Sequence, residues 1–375
     1  MQTIYQWQHP DWPHFRWNES EVSMRLARVR NLQGLLIGRI TALGFDVQST
    51  TMLAAMTDDV AASSSIEGIL LDYDSVRSSV ARQLGIAVEG LPQPSHYIDG
   101  VVQVLVDAVA HAEEPLTEQR MFAWHAALFP TGRSGTWTID VGAWRSSAEP
   151  MQVVSGAMGK ERVHYEAPPS ARVPQLMQQL LVWINADWPI DPVLKAAIVH
   201  LWFVSIHPFE DGNGRIGRTL TDLLMARADR LPHRFYSLSA AILQDRKGYY
   251  DILERTQHGN LDITEWLIWF LDMVERAVDK TTRQIERVME KSRFWSLHSE
   301  QPFNERERKI LNRLLDGFEG KLTSSKYAKI CHCSADTAVR DLRRLVAERV
   351  LLQQGEGRGT HYLLAEDDAQ RPMER

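Results

Sequence analysis

Only two cysteines, Cys331 and Cys333, occur in the 375 residues, and they flank His332. Spacing that tight wraps poorly around one metal ion, and no further cysteine is there to complete a thiolate-rich zinc site. The same scarcity excludes a disulfide framework and predicts a reduced, cytoplasmic setting. No P-loop sequence (Gly, four residues, Gly-Lys-Ser/Thr) occurs, which disfavours a P-loop kinase or ATPase. Long apolar runs are missing too: none could span a bilayer, and Tyr5, Trp7, His9, Trp12 and His14 interrupt any signal-peptide core, so no membrane association is expected. Nor is there a basic excess. A formal charge of −6 argues against a protein whose whole surface binds nucleic acid or anionic lipid. With 44% hydrophobic and 24% charged residues the composition is ordinary for a globular protein, and 375 residues imply two or three domains.

What is present is concentrated in twelve residues, His207 to Arg218: His-Pro-Phe-Glu-Asp-Gly-Asn-Gly-Arg-Ile-Gly-Arg. Before them, Ala197, Ile198, Leu201, Trp202 and Ser205 recur at the spacing of one buried helix face. Pro208 stops that helix, which leaves His207 at its end. Gly212, Asn213 and Gly214 can take positive φ and turn successive N–H groups into an anion nest. A second helix is expected from about Arg215, its positive end facing the same point. Arg215 and Arg218 add guanidinium forks suited to phosphate, Asp211 offers a hard oxygen for Mg²⁺, and His207 can accept a proton near neutral pH. The plain reading, a turn of Asp-Gly and Asn-Gly after a terminated helix, accounts for the same residues without chemistry.

Position by position, His207, Pro208, Phe209, Asp211, Gly212, Asn213, Gly214, Arg215 and Arg218 resemble the signature of the Fic (Fido) family. The resemblance implies transfer of AMP from ATP to a Ser, Thr or Tyr hydroxyl of a target protein, self-modification included. By it, His207 is the base, Asp211 holds Mg²⁺, Phe209 anchors the loop, and the run Asp211 to Arg218, with Ile216 and Gly217, binds ATP. Arg215 and Arg218 would orient the β- and γ-phosphates.

A second stretch, Ser63-Ser64-Ser65-Ile66-Glu67-Gly68, ends a helix expected from about Thr50. Ser63 and Glu67 share a face, and a glutamate at a helix C-terminus needs a cation nearby. The stretch resembles the inhibitory motif of Fic proteins, which implies that Glu67 pairs with Arg218 and blocks the productive seat of the γ-phosphate. The aromatic opening, Tyr5 to Trp17, reads as a segment lying extended in a groove; it is similar to the start of an uncharacterised domain often found ahead of Fic domains.

Helices are expected over 21–44, 97–110, 118–128, 173–185 and 261–278, with His125 as a satisfied buried histidine. Between Gly132 and Pro169 helical periodicity fails, and a β-hairpin turning near Gly156 to Lys160 is expected. In Fic proteins this segment is a flap that registers the target, which would make Val153, Val154, Ser155 and Gly156 contact residues; a purely structural hairpin stays open. Tyr249 and Tyr250 begin a further helix and either line the base of the nucleotide, as in the family, or pack in the core. From Glu305 onward the pattern is that of a winged helix-turn-helix. Residues 305–349 carry 11 Lys or Arg against 7 Asp or Glu, and Arg340, Arg343 and Arg344 could meet DNA phosphates, although such modules also bind proteins or dimerise.

The expected fold is mainly α: a Fic-type helical bundle with a small hairpin flap and a C-terminal winged helix. The expected domains are 1–95 with the inhibitory motif, 96–290 catalytic, and 300–375 winged helix. A homodimer is compatible with this layout. Alternatives are a Fic enzyme that removes AMP or moves another nucleotide or phospho group, or a DNA-binding regulator whose Fic domain senses nucleotide.

Overall fold

Residues 192–206 form a helix with no wet side: thirteen of its fifteen residues are buried. The sequence pattern assigned it one apolar face, but a helix hydrophobic all round is enclosed on every side. The structure, a computed structural model, describes residues 5–87, 90, 92–156, 160, 162–318 and 320–365. It divides into two units, Met1–Thr282 and Arg283–Arg375.

The first unit begins with α1 (Glu19–Thr41), α2 (Phe45–Ile66), α3 (Tyr73–Gln83), α4 (His96–Ala110) and α5 (Glu118–Leu128). Two antiparallel hairpins follow: β1 (Arg133–Ser134) with β2 (Trp137–Thr138), then β3 (Gln152–Ser155) with β4 (Arg162–Glu166). The chain continues through α6 (Val173–Asn185), α7 (Pro192–Ile206), α8 (Asn213–Asp229), α9 (Leu238–Gln244), α10 (Arg246–Gln257) and α11 (Thr264–Leu297). Helix starts are chemically marked. Asn18, Asp72, Ser95, Thr117, Asp191 and Ser237 each accept a bond from an N–H two or three residues on, a cap worth ~1 kcal/mol. Two of these caps, Asp72 and Ser237, start helices that the apolar spacing did not suggest, α3 and α9. Helix α2 begins at Phe45 rather than Thr50, because Gly44 is its N-cap.

The core of this unit forms around α7. Trp266 of α11 donates from its indole N–H to the Ala197 carbonyl at 2.9 Å. His200 is enclosed between the Thr221 and Tyr249 hydroxyls, both at 2.8 Å, and burial pushes its pKa down to about 3. The aromatic opening covers one flank: Trp12 and Phe15 meet Trp202 edge-on at 6.1 and 6.4 Å, and Tyr5 and Arg16 bridge to His258 and Asp262. It is not extended throughout, since Gln6–Gln8 is a 3-10 turn. In the β3–β4 hairpin the register shifts between Val153 and Val154. Residues 157–159 of the expected turn lie outside the described residues.

The second unit holds α12 (Glu305–Leu315), α13 (Ser324–Cys331) and α14 (Ala335–Ala347), then the antiparallel pair β5 (Leu351–Gln354) and β6 (His361–Leu364). Ile310, Leu311, Leu322, Tyr327, Leu342, Leu345 and Leu351 make its own core. Leu322 bridges to Tyr362 beside the pair. The polar tail expected after Ala365 lies outside the described residues. Among the described residues no helix is long and apolar enough to cross a membrane.

Candidate active site

α7 stops at His207, whose φ of 50° is left-handed, a conformation a non-glycine residue keeps only when its surroundings impose it. Phe209, two residues on, is fully buried and stacks on the His125 ring at 4.2 Å. Asn213 then brackets Phe209: its Oδ1 accepts the Phe209 N–H at 2.9 Å and its Nδ2 donates to the Phe209 carbonyl at 2.8 Å. Gly212 closes the loop at φ 80°, with room for no side chain, because a Cβ there would lie 2.8 Å from the Phe129 ring.

These contacts revise the expected nest. Only Gly212 has positive φ; Asn213 and Gly214 are already the first residues of α8, which starts two residues before Arg215. The N–H groups that a helix cannot satisfy internally are therefore those of Asn213, Gly214 and Arg215, an arrangement suited to an anion. The side chain of Asn213 is committed to Phe209. Ile216 and Gly217 leave the ligand-facing set as well. The Ile216 N–H is bonded to the Gly212 carbonyl at 3.0 Å and its side chain is buried, while Gly217 lies against Val204 and Phe203 of α7.

His207 Nδ1 lies 3.3 Å from the Val204 carbonyl, an acceptor only, so Nδ1 carries the hydrogen and Nε2 keeps its lone pair. Burial lowers the pKa of His207 to about 4, against the opposing pull of the Val204 carbonyl; Arg145 lowers it further, and Glu67 and Asp211 raise it. The ring is thus neutral at pH 7. His125 is the satisfied histidine expected: it meets the Asp211 carbonyl at 3.1 Å through Nε2 and accepts the Gly142 N–H at 3.1 Å through Nδ1. The Asp211 carboxylate takes the Gly212 N–H at 2.5 Å and the Ser134 hydroxyl, a residue the sequence did not flag.

Arg218 is 2% exposed. Its Nε donates to Ser63 Oγ at 2.9 Å, and its Nη2 to the Ser63 carbonyl at 2.9 Å and to Glu67 Oε1 at 2.7 Å. Burial by itself would lower its pKa, but the Glu67 carboxylate together with Tyr249 and Tyr250 holds it raised. A Cβ built on Gly214 would stand 2.1 Å from Glu67 Oε1, so the carboxylate rests where α8 begins. Arg215 donates to the Tyr97 hydroxyl at 3.2 Å and lies over the Phe129 ring. Arg215 Nε and Arg218 Nη1 are buried without partners among the described residues.

The tyrosine pair divides. Tyr249 is buried, bonded to His200 and stacked on Trp269, which makes it a core residue rather than a lining of the base site. Tyr250 is 37% exposed, and its hydroxyl meets the Ile66 carbonyl at 3.3 Å, next to Glu67. On the hairpin Val153 is half-buried, and Val154, Ser155 and Gly156 are exposed. Tyr165 roots this hairpin by donating to the Ser205 carbonyl at 2.6 Å, two residues before His207.

Residues 115–225 match the Fic/DOC family, and residues 5–86 match a domain of unknown function, DUF4172. Residues 115–225 are thus similar to a Fic domain. The Fic match ends within α8, seven residues past Arg218. Curated relatives include a "Probable protein adenylyltransferase" from Aquifex aeolicus, 32% identical over 103 residues (28% of this chain, 30% of that protein). Another is "Protein adenylyltransferase Fic" from Culex quinquefasciatus, 37% identical over 106 residues (28% of this chain, 20% of that protein). The chain thus spans under a third of the length of these relatives. A Fic family protein from Desulfovibrio desulfuricans shares the fold at a TM-score of 0.50 and 20% identity, over 92% of this chain and 97% of that one. Fic-1 from C. elegans does so at 0.51 and 19%, over 72% and 73%.

Proposed function

We propose that the Fic domain transfers AMP from ATP to a hydroxyl of a protein target, and that Glu67 holds it inhibited. The observation that carries the transfer reading is the juxtaposition of a neutral His207, its Nε2 lone pair unused, with the free N–H groups that open α8. His207 Nε2 takes the proton of the Ser, Thr or Tyr hydroxyl as its oxygen attacks the α-phosphorus. The bond from that phosphorus to the bridging oxygen breaks, and pyrophosphate leaves. The N–H groups of Asn213, Gly214 and Arg215 bind phosphate oxygens, and the Arg215 and Arg218 guanidinium groups balance their charge. Tyr250, rather than Tyr249, supplies the aromatic face for adenine, and Val153 to Gly156 pair with the target's backbone.

Asp211 suits Mg²⁺, which is bound through one or two carboxylates together with substrate phosphates and water. Its carboxylate is partly exposed and fixed in orientation by Ser134 and the Gly212 N–H. When bound, the ion supplies charge neutralisation at the phosphates.

Glu67 supports the inhibitory reading because it occupies two things a γ-phosphate would use, the Arg218 Nη2 and the space above Gly214. The test is incubation with ATP labelled at the α-phosphate. Label on protein from the Glu67→Gly variant, a rise of roughly 10-fold or more over wild type on the scale of one lost charged hydrogen bond, is the expected result. Label should vanish with His207→Ala while ATP still binds. No label from any form, with ATP binding intact, removes AMP transfer and leaves AMP removal or another nucleotide.

The second unit supports a winged-helix reading: three helices, then a two-stranded pair with Leu322 beside it. As a DNA reader it is weaker than its charge count. Arg344 is engaged with Glu307, Glu348 and the Pro302 carbonyl, which leaves Arg340 and Arg343 as the exposed arginines of α14. Salt-dependent binding to duplex DNA that Arg340→Ala and Arg343→Ala remove would establish that second activity.

A further inference from the structure

A buried arginine outside the Fic signature meets the catalytic loop from behind. Arg145 is 3% exposed and lies in the connection between the two hairpins. Its Nε donates to the His207 carbonyl at 2.7 Å, and its Nη2 reaches the Ile206 carbonyl at 3.4 Å. These are carbonyls at the C-terminal end of α7, where helical partners run out and the helix dipole is negative. Nη2 also donates to the Pro168 carbonyl, two residues past the end of β4. The Arg145 backbone N–H completes the set by donating to the Pro208 carbonyl at 2.9 Å. One side chain therefore touches the last residue of the helix, the histidine and the exit of the hairpin. A lysine could supply the charge but not the fork.

We propose that Arg145 is a positioning residue for the transfer reaction: its guanidinium fixes the backbone of His207 in the left-handed conformation and ties the exit of the β3–β4 hairpin to the same point. His207 takes that conformation at a helix end where glycine is the more usual choice, and the Arg145 bond to its carbonyl is a hold that the loop's own residues do not supply. Arg145 acts through the carbonyls of Ile206, His207 and Pro208. The tie to Pro168, together with the Tyr165 bond to the Ser205 carbonyl, roots the hairpin beside the base, so the segment that receives the target and the group that deprotonates it share one foundation. The inference rests on His207 being the base.

The experiment compares Arg145→Lys and Arg145→Met in the full chain, on a Glu67→Gly background. It reads kcat, KM for ATP, ATP affinity by calorimetry, and the titration of the His207 ring by NMR, assigned against His207→Ala. The charges facing that ring are Arg145, Asp211 from the loop and Glu67 just past α2, the last of which this background removes. Expected is a kcat lower by roughly 100-fold in both variants, with ATP affinity held within about threefold, because the loss is one of alignment. The ring should titrate at higher pH in Arg145→Met, where a cation has gone, and move less in Arg145→Lys. A folded Arg145→Lys with the parent's kcat would overturn the proposal. So would parallel losses of kcat, ATP affinity and melting temperature, the mark of a residue that only fills the core. Should Arg145→Met fail to fold, the kcat and affinity split in Arg145→Lys decides. If the Glu67→Gly parent transfers no AMP, the transfer reading fails by itself; the ring titration still shows whether Arg145 acts on His207.

Discussion

The loop from His207 to Gly212 and the β3–β4 hairpin both meet the C-terminal end of α7, yet they are held in opposite ways. The loop is fixed from inside: Phe209 is buried, Asn213 brackets it, Gly212 admits no side chain, and Arg145 holds the carbonyls behind it. The hairpin is held from its edges. Tyr165 is its buried root, and its side ties are the exposed Arg162, ion-paired to Glu254 of α10, and the half-buried His164, hydrogen-bonded to the same carboxylate. A base has to sit within a fraction of an ångström of its proton, whereas a strand that adds a partner's backbone gains from give. On the proposed function, the loop sets the chemistry and the hairpin sets what enters.

The contrast breaks most sharply at His207. His207→Ala should lower transfer by roughly 10²–10⁴-fold, the usual contribution of a general base, with ATP binding unchanged by calorimetry. Phe209→Ala should cost about 3–5 kcal/mol of stability in a denaturant titration, the scale for emptying a buried aromatic site, and should take activity down with it. Removing an equally apolar but exposed side chain from the hairpin, Val154→Ala, should leave stability within about 0.5 kcal/mol and alter only KM for the protein target.

Acid separates the two regions again. With a pKa lowered to about 4, His207 stays neutral as pH falls through 6.5, so the acid limb of kcat/KM should lie well below the ordinary histidine value. Stability follows the same sign. His125 and His200, lowered to about 4 and about 3, and His207 take up protons near pH 6.5 only when unfolded, so stability should fall as pH drops below 6.5. A flat stability profile between pH 7 and 5 would contradict this. The smallest effect is expected at the hairpin's edge: Glu254→Gln, which removes the partner of His164 and Arg162, should change stability by only ~0.2–1 kcal/mol.

Much of the site was legible because its residues are neighbours in the chain. His207, Phe209 and the phosphate-facing N–H groups fall within nine residues, and a helix end, a proline and glycines announce the geometry. What was not legible is which side of a helix each residue faces. Ile216 and Gly217 sit inside the signature but turn to α7, and Tyr249 turns to His200 while its neighbour Tyr250 does not. Arg145 and Ser134 carry no local signal, since their partners lie 62 and 77 residues away. Helices α3 and α9 are absent from the expected set, although the caps Asp72 and Ser237 were there to be read.

Gly214 gives the inhibition a thermodynamic form. On the inhibitory reading proposed above, Glu67 Oε1 rests where a Cβ on Gly214 would lie and bonds Arg218, so a Glu67 oxygen and a phosphate would compete for a single seat. Such exclusion is reciprocal: any event that draws α2 away raises the affinity for the terminal phosphate by the same factor by which that phosphate favours the drawn-away state. Under the proposed inhibition, nucleotide concentration would itself be an input to the switch, and a partner that binds α2 in its displaced position would act as an activator without touching the catalytic loop.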